Sequence, residues 1–168
     1  KRDRIESVVS SAFLRTCFIK EEVKIRNGKF CCKVLHPNDR FLSGEGFSDN
    51  NRSVVLMCEY RGVRLLFPGD LEEEGIRRLI SDYGDDLDAE VLVLPHHGKW
   101  MSVLSDFLNC VKPEVAIASR SRDLNVRTIE LLRREGISIW STAKDGSVIV
   151  KILEERFDIR GFISDKEI

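Results

Sequence analysis

Two short apolar runs, each ended by a proline, restrict this chain more than any other feature. Val63-Arg64-Leu65-Leu66-Phe67 stops at Pro68 and delivers Gly69-Asp70; Val91-Leu92-Val93-Leu94 stops at Pro95 and delivers His96-His97-Gly98. Proline cannot donate to a strand ladder, so each run reads as a strand with a defined end. Between them, Leu71 to Tyr83 has one apolar face at Leu71, Gly75, Ile76, Leu79 and Ile80. Glu72-Glu73-Glu74 open that segment, where negative charge complements a helix dipole. Strand, helix and parallel strand form a βαβ unit, which sets both strand ends on one edge of the sheet. A carboxylate and two imidazoles then meet at the edge where ligands of open α/β sheets collect. Those donor types suit a metal ion.

The flanking sequence predicts the rest of the fold. A helix is expected from Arg4 to Phe18, then strands over Glu22–Arg26 and Lys29–Leu35 joined by Asn27-Gly28 in a type I′ turn. His36 to Arg52 reads as a loop, and Ser53–Tyr60 pairs with Val63–Phe67 around Arg61-Gly62. Helices near Ser102–Val111 and Val126–Glu135 alternate with strands Glu90–Leu94, Glu114–Ser119 and Ser138–Ser141. A turn at Lys144-Asp145-Gly146, a strand over Ser147–Leu153 and a last strand through Phe157–Ile163 complete the series. Antiparallel hairpins followed by strand–helix units give an α/β architecture, a mixed sheet covered by helices, in a single domain spanning residues 1–168.

Charge and cysteine content narrow the function. With 27 Lys and Arg against 28 Asp and Glu, no global field recruits nucleic acid or membrane. Arg120, Arg122 and Arg127 nevertheless cluster locally. No apolar run reaches the roughly 20 residues of a membrane span. Five cysteines fit no Cys-x-x-Cys spacing, and those in strand runs (Cys31, Cys32, Cys58) read as small buried hydrophobes in a reducing, cytoplasmic setting. Cys31 and Cys32 point to opposite faces of their strand, which argues against mutual bonding or joint metal ligation.

Asp70 has two readings: metal ligand, or N-cap of the helix opening at Leu71. His96 and His97 are ligand candidates on account of their strand-end position. His36, before Pro37, reads as a loop histidine. Asn51 and Ser53 either shape the loop or contact substrate.

Four stretches in order carry a resemblance: Val34-Leu35-His36-Pro37, Asn50 to Leu56, Leu65 to Glu72, and Val93 to Gly98. With Val115 to Ser119, Ile139 to Thr142 and Asp145-Gly146-Ser147, they resemble the metallo-β-lactamase fold over about Glu22 to Ile152. They are most similar to the soluble hydrolase domain of DNA-internalisation competence proteins of the ComEC type. The resemblance implies an αββα sandwich with two metal ions, zinc or else manganese, and a water activated between them. It carries the bridging aspartate onto Asp70 and a metal-ligating histidine onto His96 or His97, with His96 preferred and the other histidine contacting substrate. It implies hydrolysis of phosphodiester or nucleic-acid substrates.

The chain also departs from that pattern. It has no His-x-His-x-Asp-His cluster, it carries Lys99-Trp100 after Gly98, and it has no histidine between Arg120 and Arg127. Its three histidines cannot build the two-metal site alone. It also opens at Lys1 without a methionine. The expectation is therefore the C-terminal portion of such a hydrolase, completed by an upstream segment and prone to self-association through exposed sheet edges. The alternative is a catalytically incomplete scaffold that binds nucleic acid or a protein.

Overall fold

The computed structural model describes residues 23–39 and 47–163; the helix predicted from Arg4 to Phe18 lies outside them. Strands β1 (Lys24–Asn27), β2 (Phe30–His36), β3 (Val55–Tyr60), β4 (Val63–Phe67), β5 (Val91–Val93), β6 (Val115–Ala118) and β7 (Ser138–Ser141) form one seven-stranded sheet in chain order. β1 to β4 pair antiparallel and β4 to β7 pair parallel, so β4 is the seam between the two regimes. The carboxyl ends of β4, β5, β6 and β7 therefore share one edge. β8 (Val148–Ile152) and β9 (Phe157–Gly161) form a separate antiparallel pair.

Both tight hairpins follow turn chemistry, with one correction. Asn27 pairs with Phe30, so the central residues of the first turn are Gly28 and Lys29, one position later than predicted. Only Gly28 takes a positive φ there (+59°), which fits a type II′ turn rather than type I′. In the second hairpin Arg61 and Gly62 both have positive φ, the type I′ pattern.

Helices α1 (Glu73–Tyr83), α2 (Leu104–Val111) and α3 (Val126–Arg134) lie over one face of the sheet. Their buried residues, among them Ile76, Leu79, Phe107, Val111 and Leu132, join Val55, Leu66, Leu92 and Ala116 in the main core. Strand alternation sends Val115 and Trp140 to the opposite face, where Ile159 of β9 completes a second cluster. The expected architecture is thus present: a mixed sheet between a helical layer and a second sheet. α1 begins two residues later than predicted. A short helical turn, α4 (Thr142–Asp145), replaces the first part of the expected turn, with Ser141 Oγ accepting the Ala143 N–H and Asp145 Oδ2 accepting the Ser141 N–H. No helix among the described residues is long and apolar enough to cross a membrane.

Candidate active site at the carboxyl edge of the parallel strands

The register of β3 and β4 begins with Leu56 opposite Phe67. Extended past the strand ends, it brings Ser53 beside Asp70, whose N–H donates to Ser53 Oγ at 3.1 Å. Gly69 between them has φ +62°, and a Cβ there would stand 3.0 Å from Ser53 Cβ. Its carbonyl accepts the His96 N–H at 3.0 Å, tying the end of β4 to the end of β5.

The N-terminus of α1 is capped from a distance. Asp70 does not cap it: the cap position is Glu72, which makes no side-chain capping bond. Instead the buried Asn51, from the 3-10 turn Asn50–Arg52, accepts the N–H groups of Glu72 and Gly75 on Oδ1, each at 3.1 Å. His36 is buried as well, with Nε2 2.8 Å from the Asn51 carbonyl. The side chains of Asn51 and Ser53, predicted to shape the loop or touch substrate, are both engaged with backbone of this protein. Glu72 in turn receives Ser48 Oγ at 2.8 Å and Asn50 Nδ2 at 3.3 Å. Those two hydrogen bonds, with a smaller contribution from the His96 and Lys99 charges, hold its carboxyl below the usual range.

His96, His97 and Gly98 follow one another with positive φ, at +46°, +57° and +76°. Successive left-handed residues turn the chain so that the neighbouring rings diverge, their planes at 85° and centroids 6.3 Å apart. His97 Nε2 reaches Asp70 Oδ1 at 3.2 Å. His96 Nδ1 faces Glu72 Oε1 at 3.8 Å, too far for a hydrogen bond, and this buried nitrogen has no hydrogen-bond partner among the described residues. The structure therefore brings Asp70 to His97, and sets His96 beside a carboxylate that the sequence presented only as a helix-dipole residue.

The turn is pinned from behind. Thr128 Oγ1 donates to the Gly98 carbonyl at 3.2 Å, and a Cβ on Gly98 would stand 2.4 Å from Leu124 Cδ2. Arg120 Nη1 donates to the His97 carbonyl at 3.3 Å. The Arg120 backbone is fixed at both its N–H and its carbonyl by Thr142 Oγ1, each at 2.8 Å. In front of the histidines lies a cleft of about 550 Å³ lined by His96, His97, Lys99, Trp100, Arg120 and Arg122, with no carboxylate among the described residues of its walls. Arg127, grouped with the other arginines in the sequence, does not line it.

A carboxylate, an imidazole at 3.2 Å and a second imidazole with an unsatisfied nitrogen are the right chemical types for a metal ion. Their number falls short, because no group of three or more His, Cys, Asp or Glu donors is assembled among the described residues.

Comparison with known proteins agrees with this picture in outline. The chain is 42% identical over 87 residues to Competence protein ComA of Neisseria gonorrhoeae, covering 52% of this chain and 12% of that protein. It is 30% identical over 106 residues to ComE operon protein 3 of Bacillus subtilis, covering 60% of this chain and 14% of that one. The chain thus spans about an eighth of the length of the curated relatives it matches. No protein-family model matches it. Among solved structures, a candidate metal-dependent hydrolase from Parabacteroides distasonis superimposes with a TM-score of 0.52 at 15% identity, covering 82% of this chain and 62% of the other. That likeness shows the fold alone, a mixed sheet with helices over one face and a second sheet against the other. The sequence matches show a relationship to competence proteins over part of the chain.

Proposed function

We propose that this chain belongs to a metal-dependent hydrolase of the metallo-β-lactamase fold, acting on phosphodiester bonds of nucleic acid. One juxtaposition carries the proposal: the Asp70–His97 pair stands beside a cleft whose described walls carry Lys99, Arg120 and Arg122 and no carboxylate. Asp70 and His97, with His96 beside them, are the residues that would hold a zinc or manganese ion. When bound, the ion supplies a water of lowered pKa and offsets negative charge on the scissile group.

The chain's own residues do the remaining work. Lys99, Arg120 and Arg122 attract and orient phosphate oxygens, the guanidinium groups through paired N–H donors. The bond from Arg120 to the His97 carbonyl and the Thr142 clasp on its backbone keep that side chain at the cleft without cost at the moment of reaction. Trp100, half-buried in the cleft wall, offers a ring face on which a base can stack.

A second reading, a catalytically incomplete module that binds nucleic acid through this cleft, is favoured by the incomplete donor set. Metal content and oligonucleotide hydrolysis of the natural protein carrying these residues separate the two. Stoichiometric metal and cleavage, both lost on Asp70→Ala, support the hydrolase. A metal-free wild-type protein that binds the oligonucleotide without cutting it rejects the hydrolase in favour of the module.

A further inference from the structure

We propose that Cys32 and Cys58 are an oxidation site, closing to a cross-strand disulfide that clamps β2 to β3 and encloses the segment carrying Asn51 and Ser53. The two residues are direct partners in the β2–β3 register. Opposed residues of an antiparallel pair have Cα atoms about 4.5–5.5 Å apart, inside the span a disulfide bridges, so the backbone need not move. Their side chains leave the same face of the sheet, and the sulfurs stand 3.1 Å apart as free thiols. Across that gap the Cys58 S–H donates a hydrogen bond to Cys32 Sγ, so the two sulfurs already face each other.

The placement is selective. Cys31, one residue away, projects to the other face and lies opposite Glu59. Cys110 belongs to α2 and packs against the main core. Cys32 is buried, whereas Cys58 is half-buried and is the accessible member of the pair. Burial, then the neighbouring Cys32 sulfur, pushes the Cys58 thiol up to about 12. Little thiolate is present at neutral pH, so exchange is slow there and speeds up as pH rises.

The oxidant is a small-molecule disulfide such as oxidised glutathione. The Cys58 thiolate attacks one of its sulfurs, breaking that S–S bond and releasing one glutathione thiolate. Cys32 then gives its proton to solvent and attacks the Cys58 sulfur, expelling the second glutathione. Two protein thiols are oxidised, and one small disulfide is reduced to two thiols.

The test incubates the reduced chain with oxidised glutathione near pH 8.5, then maps disulfides by mass spectrometry of a non-reducing digest. The expected product has lost two hydrogens, links the Cys32 and Cys58 peptides and melts several degrees higher than the reduced protein. Cys31→Ser forms the same link, whereas Cys58→Ala forms none. A digest in which both thiols stay titratable, in which Cys58 carries only a glutathione adduct, or in which either cysteine is joined to another partner overturns the proposal. The mapping on wild-type protein decides the matter even where a variant folds poorly.

Discussion

Asn51 Oδ1 accepts the backbone N–H of Gly75 across 24 positions of sequence, and the same oxygen takes the N–H of Glu72. One amide from a loop therefore does what a local N-cap residue does in most helices, and it aligns the helix that follows Asp70. Asn51→Ala leaves two N–H groups without their acceptor, one of them buried. The expected cost is about 2–3 kcal/mol of stability, read as a lower denaturant midpoint at unchanged slope. Asn51→Asp, which keeps an acceptor at the helix N-terminus, should recover most of that loss; an alanine variant as stable as wild type contradicts the capping role.

Gly98 and Gly28 both have positive φ, yet their surroundings differ. A Cβ at Gly28 meets nothing within 4 Å, whereas one at Gly98 meets Leu124 and Leu94. Gly28→Ala should cost about 1 kcal/mol from backbone strain alone. Gly98→Ala adds overpacking and should cost about 2–4 kcal/mol in all. Equal losses in thermal or denaturant unfolding would show that packing behind the histidine turn is loose.

Glu72 links the site to pH. Its folded carboxyl is held below the usual value by the Ser48 and Asn50 hydrogen bonds, so the folded state favours the ionised form. The stability this contributes is fully present above the unfolded value near 4.5 and is lost as pH falls through the lower folded value. Glu72→Gln should flatten that part of the stability–pH curve measured by urea unfolding between pH 5 and pH 3. A variant with the wild-type slope in that window assigns the effect elsewhere.

Asp70 and His97 should respond to substitution as one unit. His97 faces Asp70 at 3.2 Å and His96 faces Glu72 at 3.8 Å. Zinc titration of the natural protein should show weakening beyond the roughly 10- to 100-fold that follows loss of a group that only orients a ligand, for either His97→Ala or Asp70→Ala. The double variant should be little worse than the singles if they hold one ion together. Fully additive losses would mean that the two side chains serve separate ions.

Much of this arrangement was legible in the sequence because local rules and the global fold agree there. Pro68 and Pro95 mark strand ends, and the βαβ rule places Asp70 and His97 at one edge although 26 residues intervene. The first turn slipped by one residue because Asn27-Gly28 and Gly28-Lys29 differ only in which residue takes positive φ, and the β1–β2 register selected the second. Glu72 was hidden because an acidic first turn is explained by the helix dipole alone; its tie to the loop of Ser48 and Asn50 is a long-range contact without periodic signal. The grouping of Arg120 and Arg122 was visible, but which cations share a cleft depends on side-chain direction after β6. The Cys32–Cys58 pairing needed a strand register that the sequence does not print.

Three successive left-handed residues hand each imidazole to a different carboxylate, one on either side of Leu71. Only the Asp70 pairing is closed, and the Nδ1 of the other ring is left unengaged at the same bend of backbone. A single turn thus holds one imidazole fixed and keeps its neighbour open to a further partner.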